Sequence, residues 1–97
     1  MTKILVTGSA GFLYSNFIRY VMFNYDDVQI VGIDNLSARS NFSNVYVNKN
    51  VKFYLGSITD MDFINKVFEI EKPSIVINGA EEKDDENKII FDIKINN

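Results

Sequence analysis

The apolar residues near the start of the chain form a short run followed by a helically spaced stretch. Residues 3–7 (KILVT) are a largely apolar, β-branched run that Gly8 ends, which is typical of a strand buried on both faces. Between residues 11 and 24 the apolar side chains recur on one face of a helix. They are Leu13, Phe17, Ile18, Val21 and Met22. The chain is therefore predicted to open with a strand, a glycine turn and a helix.

The same alternation continues through the middle of the chain. Residues 28–34 (VQIVGID) predict a second strand that ends in an acid, and residues 51–56 predict a third. The stretch between them, residues 35–50, is rich in Asn and Ser and predicts a loop with at most a short helical turn. Residues 74–78 (SIVIN) predict a fourth strand.

A second helix is predicted between the third and fourth strands. Thr59 or Asp60 is positioned to cap it, it spans Met61–Glu71, and Pro73 prevents it from continuing. Its apolar face would consist of Phe63, Ile64, Val67, Phe68 and Ile70. Farther on, residues 89–95 (IIFDIKI) are compatible with either a helix or a strand, and we favour a helix.

Strands that alternate with helices at this spacing predict an α/β fold. Right-handed strand–helix–strand units make neighbouring strands parallel, so the expected sheet has about four strands in the order 3-2-1-4, with flanking helices. This is half of a doubly wound fold. With 97 residues, of which 46% are apolar, the chain is long enough for a single domain, residues 1–97, with one core.

The composition narrows the possible chemistry. The chain has neither Cys nor His, so any chemistry would use carboxylates, hydroxyls, amines or a cofactor. A net charge of −3 gives no basic surface for nucleic acid. No stretch approaches the roughly 18 apolar residues of a membrane span, and the first strand is too short for a signal-peptide core. We therefore expect a soluble, cytoplasmic protein that binds neither nucleic acid nor membranes.

The turn after the first strand carries the strongest functional signal. In the sequence TGSAGFL, Gly8 and Gly11 let the main chain turn tightly and approach a pyrophosphate, which the N–H groups at the start of the helix would bind. Asp34, at the end of the second strand, is positioned to accept hydrogen bonds from adenosine-ribose hydroxyls and to repel a 2′-phosphate. The pattern predicts a dinucleotide site that prefers NAD to NADP. A plain turn without a ligand is the alternative.

On these residues the chain resembles the extended short-chain dehydrogenase/reductases that act on nucleotide sugars, and among them the 4,6-dehydratases. The resemblance is carried by residues 3–19, 34–37, 51–60 and 71–78, together with Asn41 and Asn44, and it extends over the whole chain. It implies a Rossmann-like NAD-binding domain that lacks the catalytic and substrate-binding part. The positions that it implies for NAD binding are Gly8, Gly11, Phe12, Leu13, Asp34, Asn35, Ser57, Ile58 and Ala80.

The sequence departs from this family at three places. Tyr14 stands where the family has a third glycine, so its ring must displace the helix, turn toward solvent, occupy the space of the adenosine, or lie part-exposed on the helix. Ser57 replaces an acid that would read the adenine amino group, which weakens that contact. After Ala80, the acidic run 81–86 (EEKDDE) would repel phosphates. For this run a solvated loop is favoured over a Mg²⁺ or Ca²⁺ site.

The family's catalytic Tyr-x-x-x-Lys pair is missing from the sequence. None of the five tyrosines is followed by a lysine four positions later, so none has the neighbouring cation that the hydride-transfer chemistry requires. Two hypotheses follow. The chain is the NAD-binding portion of a nucleotide-sugar dehydratase or epimerase, inactive by itself and with weakened or lost cofactor binding. Alternatively, it is a non-enzymatic interaction or regulatory module that forms a homo-oligomer or docks on a partner protein over its exposed half sheet.

Overall fold

The computed structural model describes residues 1–37 and 40–80. Their strands form one parallel sheet with the order β3-β2-β1-β4. The strands are β1 (Thr2–Thr7), β2 (Val28–Asp34), β3 (Val51–Leu55) and β4 (Ile75–Asn78), and the helices are α1 (Phe12–Asn24) and α2 (Met61–Glu71). The predicted α/β class, strand order and alternation with helices are confirmed. The predicted element at residues 89–95 and the acidic run 81–86 lie outside the described residues.

β1 lies at the centre of the sheet, between β2 and β4. Leu5 and Val6 are completely buried, and they point to opposite faces because side chains alternate along a strand. Leu5 belongs to a core cluster with Ile64 of α2, whereas Val6 belongs to a second cluster with Ile18 and Val21 of α1. Each helix thus covers one face of the sheet, as half of a doubly wound fold requires.

The helix faces differ from the prediction at two positions, because Leu13 is 67% exposed and Ile70 is 65% exposed. In α1 the face toward the sheet runs through Tyr14 and Ile18, and Leu13 lies about 100° away around the helix. In α2 Glu71 takes the buried position next to Ile70. The expectation that Leu13 and Ile70 contribute to the apolar face was therefore wrong.

The ends of α2 follow the predicted signals. The Asp60 side chain accepts a hydrogen bond from the N–H of Phe63 (3.2 Å), which caps the first turn. After the last turn Lys72 adopts a left-handed conformation with φ of 46°, and Pro73 follows. The stretch between β2 and β3 contains a single 3-10 turn at Phe42–Asn44. The cap and the short helical turn are both confirmed.

Glu71 is a buried carboxylate that joins α2 to the sheet. Its side chain is 1% exposed and accepts hydrogen bonds from Tyr54 (2.5 Å), Lys3 (3.1 Å) and Lys52 (3.4 Å). Burial opposes ionisation, but these three donors outweigh it and hold the pKa of Glu71 below its usual value. The hydrogen bond to Glu71, together with burial and the negative charge, raises the pKa of Tyr54. The network ties β1 and β3 to the end of α2.

We expect Glu71→Gln to lower the free energy of unfolding by about 1–3 kcal/mol near neutral pH, because a neutral amide holds two lysines and a phenol less well. Since the pKa of Glu71 is lowered in the folded chain, its contribution is present above the unfolded pKa and is lost as the pH falls through the folded value. The difference from wild type should therefore shrink below about pH 4.

Urea unfolding followed by circular dichroism across this pH range measures the effect of Glu71→Gln. Glu69→Gln, at an exposed position of the same helix, is the matched control and should change stability little. A difference between wild type and Glu71→Gln that stays constant from neutral to acid pH would contradict the role assigned to the carboxylate.

Candidate functional site

The turn after β1 lies at the edge of the sheet where the carboxyl ends of β1, β2 and β4 meet. Gly8 has a φ of 70°, in the left-handed region that favours glycine. Its N–H donates to the carbonyl of Ile33 (2.8 Å). A Cβ atom on Gly8 would lie 2.6 Å from the carbonyl oxygen of Gly79. The turn therefore packs main chain against main chain, which requires glycine at position 8.

The turn leads directly into α1. Gly11 is the N-cap residue, and it has no side chain that could accept hydrogen bonds from the N–H groups of the first turn. The side chains of Phe12 and Leu13 are exposed, so α1 begins at the molecular surface. Free N–H groups and the positive end of the helix dipole attract an anion such as a phosphate. The first turn of α1 therefore lies at the surface without a side-chain cap.

Asp34 ends β2 beside the glycine turn and is 3% exposed. Its Oδ2 accepts hydrogen bonds from the N–H of Ala10 (2.9 Å) and the hydroxyl of Ser40 (2.8 Å). Its Oδ1 accepts one from the N–H of Leu36 (2.8 Å). The carboxylate therefore joins the turn to the loop that follows β2, and it lies at the strand end where the sequence predicted an acid.

The loop after β2 folds back onto the glycine turn. The N–H of Asn41 (3.2 Å) and the side-chain amide of Asn44 (2.9 Å) both donate to the carbonyl of Ala10. Ser40 and Gly11 form an isolated antiparallel bridge. These contacts hold Ser40 next to Asp34. The sequence predicts only a loop here, and its high content of Asn and Ser is the feature that could have indicated these polar contacts.

Ala80 lies just beyond β4, beside the turn. Its N–H donates to the hydroxyl of Thr7 (3.1 Å), and that hydroxyl donates to the side-chain carbonyl of Asn78 (2.5 Å). Thr7 is fully buried. These hydrogen bonds fix Ala80 close to Gly8. Thr7 and Asn78 were not predicted as residues of this site. Each is a polar residue at the end of an apolar strand, and this feature could have indicated them.

Three other predicted positions have different surroundings. The hydroxyls of Ser57 and Thr59 lie 2.7 Å apart, and the Ser57 hydroxyl also accepts from the Thr59 N–H (3.1 Å). Ile58 is 5% exposed, and its side chain lies in the core cluster covered by α2. The exposed Asn35 side chain accepts from the N–H of Ser37 (3.1 Å). The predicted positions that the structure brings together at the turn are Gly8, Gly11, Phe12, Leu13, Asp34 and Ala80.

Tyr14 lies half-buried on α1, as the last of the alternatives above expects, but its contact with the chain after β4 was not predicted. Its half-buried ring packs against the core cluster around Val6. The ring also covers the main chain just after β4, since a Cβ atom on Gly79 would overlap the ring carbons. The absence of a side chain at Gly79 therefore makes room for the bulk that Tyr14 adds at the start of α1.

The described residues contain no cluster for a metal ion. Within residues 1–37 and 40–80, no three acidic side chains are grouped so that they could hold a metal. In the same part of the chain, neither helix has the length and apolar character needed to cross a membrane. The alternative of a metal site in the acidic run 81–86 falls outside these residues.

A parallel sheet of this order, with a glycine turn after its central strand and a buried acid after the next, defines the first half of a Rossmann-type α/β protein. The chain belongs to the NAD-dependent epimerase/dehydratase family, whose family model matches residues 4–95.

The curated relatives include dTDP-D-glucose 4,6-dehydratases. The chain is 40% identical to that of Dictyostelium discoideum over 81 residues, which are 80% of this chain and 19% of the relative. It is 38% identical to that of Mus musculus over 81 residues, which are 80% of this chain and 23% of the relative. The chain therefore spans about a fifth of the length of these relatives.

Solved structures with the same fold include NAD complexes. The dTDP-glucose 4,6-dehydratase of Bacillus anthracis in complex with NAD matches with a TM-score of 0.79 and 32% identity, over 84% of this chain and 27% of that one. The Bordetella bronchiseptica enzyme WbmH in complex with NAD⁺ matches with a TM-score of 0.76 and 26% identity, over 88% of this chain and 27% of that one.

Proposed function

We propose that this chain is the N-terminal NAD-binding portion of a nucleotide-sugar dehydratase or epimerase similar to dTDP-glucose 4,6-dehydratase. The observation that carries the proposal is the contact between the glycine turn and Asp34, in which the Ala10 N–H donates to the carboxylate (2.9 Å). This contact brings the start of α1, which would bind the pyrophosphate, and the acid that would bind the ribose to one edge of the sheet. Family membership and NAD-bound structural relatives support the same ligand.

The residues at this edge fit an extended dinucleotide. The pyrophosphate would lie over the turn between Gly8 and Gly11 and on the N–H groups of Phe12 and Leu13. The adenosine ribose would lie at Asp34, with Asn35 beside it. The adenine would lie near Ser57 and Ile58, where the side chain of Ile58 is in the core and the main chain is the part available for contact.

The nicotinamide end would point toward Ala80. When bound, NAD supplies an acceptor and later a donor of hydride for a carbon of the sugar. The residues of this chain would hold the nucleotide and set its orientation, with Thr7 fixing Ala80 through the hydrogen bond of 3.1 Å.

We do not expect the chain to complete the family's reaction by itself. None of its five tyrosines has a lysine four positions later. Tyr54 donates a hydrogen bond to Glu71, and the raised pKa keeps this phenol protonated, which is the opposite of what a proton-abstracting tyrosine needs. The hydride chemistry of NAD would require catalytic residues from outside these 97 residues.

Calorimetric titration of the whole chain with NAD and with NADP tests the proposal. We expect NAD to bind with a millimolar or lower Kd, and NADP to bind about tenfold more weakly or worse, because its 2′-phosphate would face the Asp34 carboxylate. Asp34→Asn, which keeps the shape of the side chain but not its charge, should reduce the difference in affinity between NAD and NADP. Circular dichroism establishes that the variant is folded. No binding of NAD at millimolar concentration would contradict the proposal.

A second candidate function is an interaction or regulatory module. The observation that favours it is the edge of the sheet: among the described strands β4 pairs with β1 alone, and Ile75 is 45% exposed. An open strand edge pairs readily with another chain, so a homo-oligomer or a partner protein would cover it. Light scattering distinguishes the two candidates. A monomer that binds NAD supports the first, and an oligomer that binds no NAD supports the second.

A further inference from the structure

The Ser40 hydroxyl forms a hydrogen bond with the carboxylate of Asp34, the group proposed to bind the ribose. Its Oγ donates to Asp34 Oδ2 (2.8 Å), the same oxygen that accepts the N–H of Ala10 (2.9 Å). Each carboxylate oxygen has two lone pairs in the plane of the group. Both lone pairs of Oδ2 are therefore used within the chain, and Oδ1 has already accepted the N–H of Leu36 (2.8 Å).

We propose that Ser40 determines the affinity of this site for NAD and its discrimination between ribose and deoxyribose. Its hydroxyl would do so by competing with one ribose hydroxyl for Oδ2 of Asp34. The inference rests on the proposed function, because it concerns the ribose of the same dinucleotide. A ribose that presents two hydroxyls to Asp34 finds one acceptor position at Oδ1 and none at Oδ2 until the Ser40 hydroxyl leaves. The ligand then exchanges one hydrogen bond for another and gains little from the second contact.

Among the three donors to Asp34 within residues 1–37 and 40–80, the Ser40 hydroxyl is the one that can leave. The N–H groups of Ala10 and Leu36 belong to the main chain, and moving them would require the turn or the loop to change conformation. The Ser40 hydroxyl moves by rotation about a single side-chain bond. A ribose hydroxyl could therefore replace the Ser40 hydroxyl as a donor to Asp34.

The position of Ser40 is fixed by contacts that do not involve its hydroxyl. Its own N–H donates to the carbonyl of Ser37 (2.8 Å), and it forms the antiparallel bridge with Gly11. Its neighbour Asn41 donates to the carbonyl of Ala10 (3.2 Å), as does the side chain of Asn44 (2.9 Å). Because the loop is held in this way, removing the hydroxyl should vacate Oδ2 without releasing the main chain around it.

Calorimetric titration of wild type, Ser40→Ala, Ser40→Thr and Ser43→Ala with NAD tests the inference. We expect Ser40→Ala to bind NAD about tenfold more tightly than wild type, the change that one recovered hydrogen bond to a charged acceptor gives. Ser40→Thr keeps a hydroxyl and should stay near the wild-type affinity. Ser43→Ala removes an exposed serine hydroxyl from the same loop and should leave the affinity unchanged.

A second series compares ADP with 2′-deoxy-ADP and 3′-deoxy-ADP on the same variants. In wild type, the deoxy nucleotide that lacks the hydroxyl facing Oδ2 should bind within about twofold of ADP, because the Ser40 hydroxyl already donates to that oxygen. In Ser40→Ala the same deoxy nucleotide should bind about tenfold more weakly than ADP. If Ser40→Ala merely loosened the loop, its affinity for all three nucleotides would change by the same factor. The wild-type series needs no variant, so the inference stays testable even if Ser40→Ala does not fold.

The outcomes separate this inference from the function on which it rests. Measurable NAD binding by wild type, with tighter binding by Ser40→Ala and increased discrimination against one deoxy nucleotide, supports both. If wild type binds NAD and Ser40→Ala binds no more tightly, or gains equally for all nucleotides, the role of Ser40 is overturned and the proposed function stands. If both deoxy nucleotides bind wild type much more weakly than ADP does, Ser40 does not hold the acceptor. If wild type binds no nucleotide at millimolar concentration, the proposed function fails and the inference fails with it.

Discussion

Gly8→Ala is expected to lower the free energy of unfolding by about 2–4 kcal/mol and to abolish NAD binding. Two costs add at this position. A residue with a Cβ is strained at a φ of 70°, and the Cβ itself would lie 2.6 Å from the carbonyl oxygen of Gly79. The clash involves main-chain atoms on both sides, so no side-chain rotation relieves it. Any shift of the turn would also move the helix start away from the proposed pyrophosphate position.

Denaturant unfolding and NAD titration on the same samples measure the two effects of Gly8→Ala. Gly11→Ala is the matched control, because Gly11 has an ordinary φ of −75° and should change stability by less than about 1 kcal/mol. If Gly8→Ala were as stable as Gly11→Ala and bound NAD normally, the close approach of the turn to Gly79 would be wrong.

The second large effect is expected from Gly79→Ala, which should lower the free energy of unfolding by about 1–3 kcal/mol. The reason is that the new methyl group would overlap the ring of Tyr14. In a Tyr14→Ala background the same change should cost less by about 1 kcal/mol, which a double-mutant cycle reports as coupling. The relief is partial, since the added Cβ would still lie 2.7 Å from the carbonyl oxygen of Thr7.

Urea unfolding of the two single variants and the double variant gives the coupling between Tyr14 and Gly79. Tyr20→Ala supplies the control cycle, because Tyr20 lies on the exposed side of the same helix and should show no coupling with Gly79. Additive effects of Tyr14→Ala and Gly79→Ala would mean that the ring does not lie over position 79.

The order of elements and the place of the glycine turn follow from local signals in the sequence. The bounds of β2 and α2 agree with the prediction because an acid ends the strand at Asp34, Asp60 caps the helix and Pro73 follows it. The placement of Leu13 and Ile70 in the core was wrong because each is adjacent to a residue of the buried face. Periodicity alone does not decide which of two neighbouring apolar positions turns inward.

The contacts that could not be predicted join residues that are distant in the sequence. The room for Tyr14 depends on the missing side chain of Gly79, and a local pattern at the start of α1 contains no information about it. In the same way Asp34 was identified from its place at a strand end, but its hydrogen bond with Ser40 depends on how the intervening loop folds. Both contacts follow from the packing of the whole sheet edge.

An amide-resolved NMR titration of the full chain tests whether NAD binds at the edge formed by the glycine turn and Asp34. We expect NAD to shift the amide resonances of residues 8–13, 34–36 and 80, and to leave those of Glu69 and Lys72 at the far end of α2 unchanged. An absence of shifts at millimolar NAD, or shifts confined to the end of the sheet near Glu71, would contradict binding at this edge.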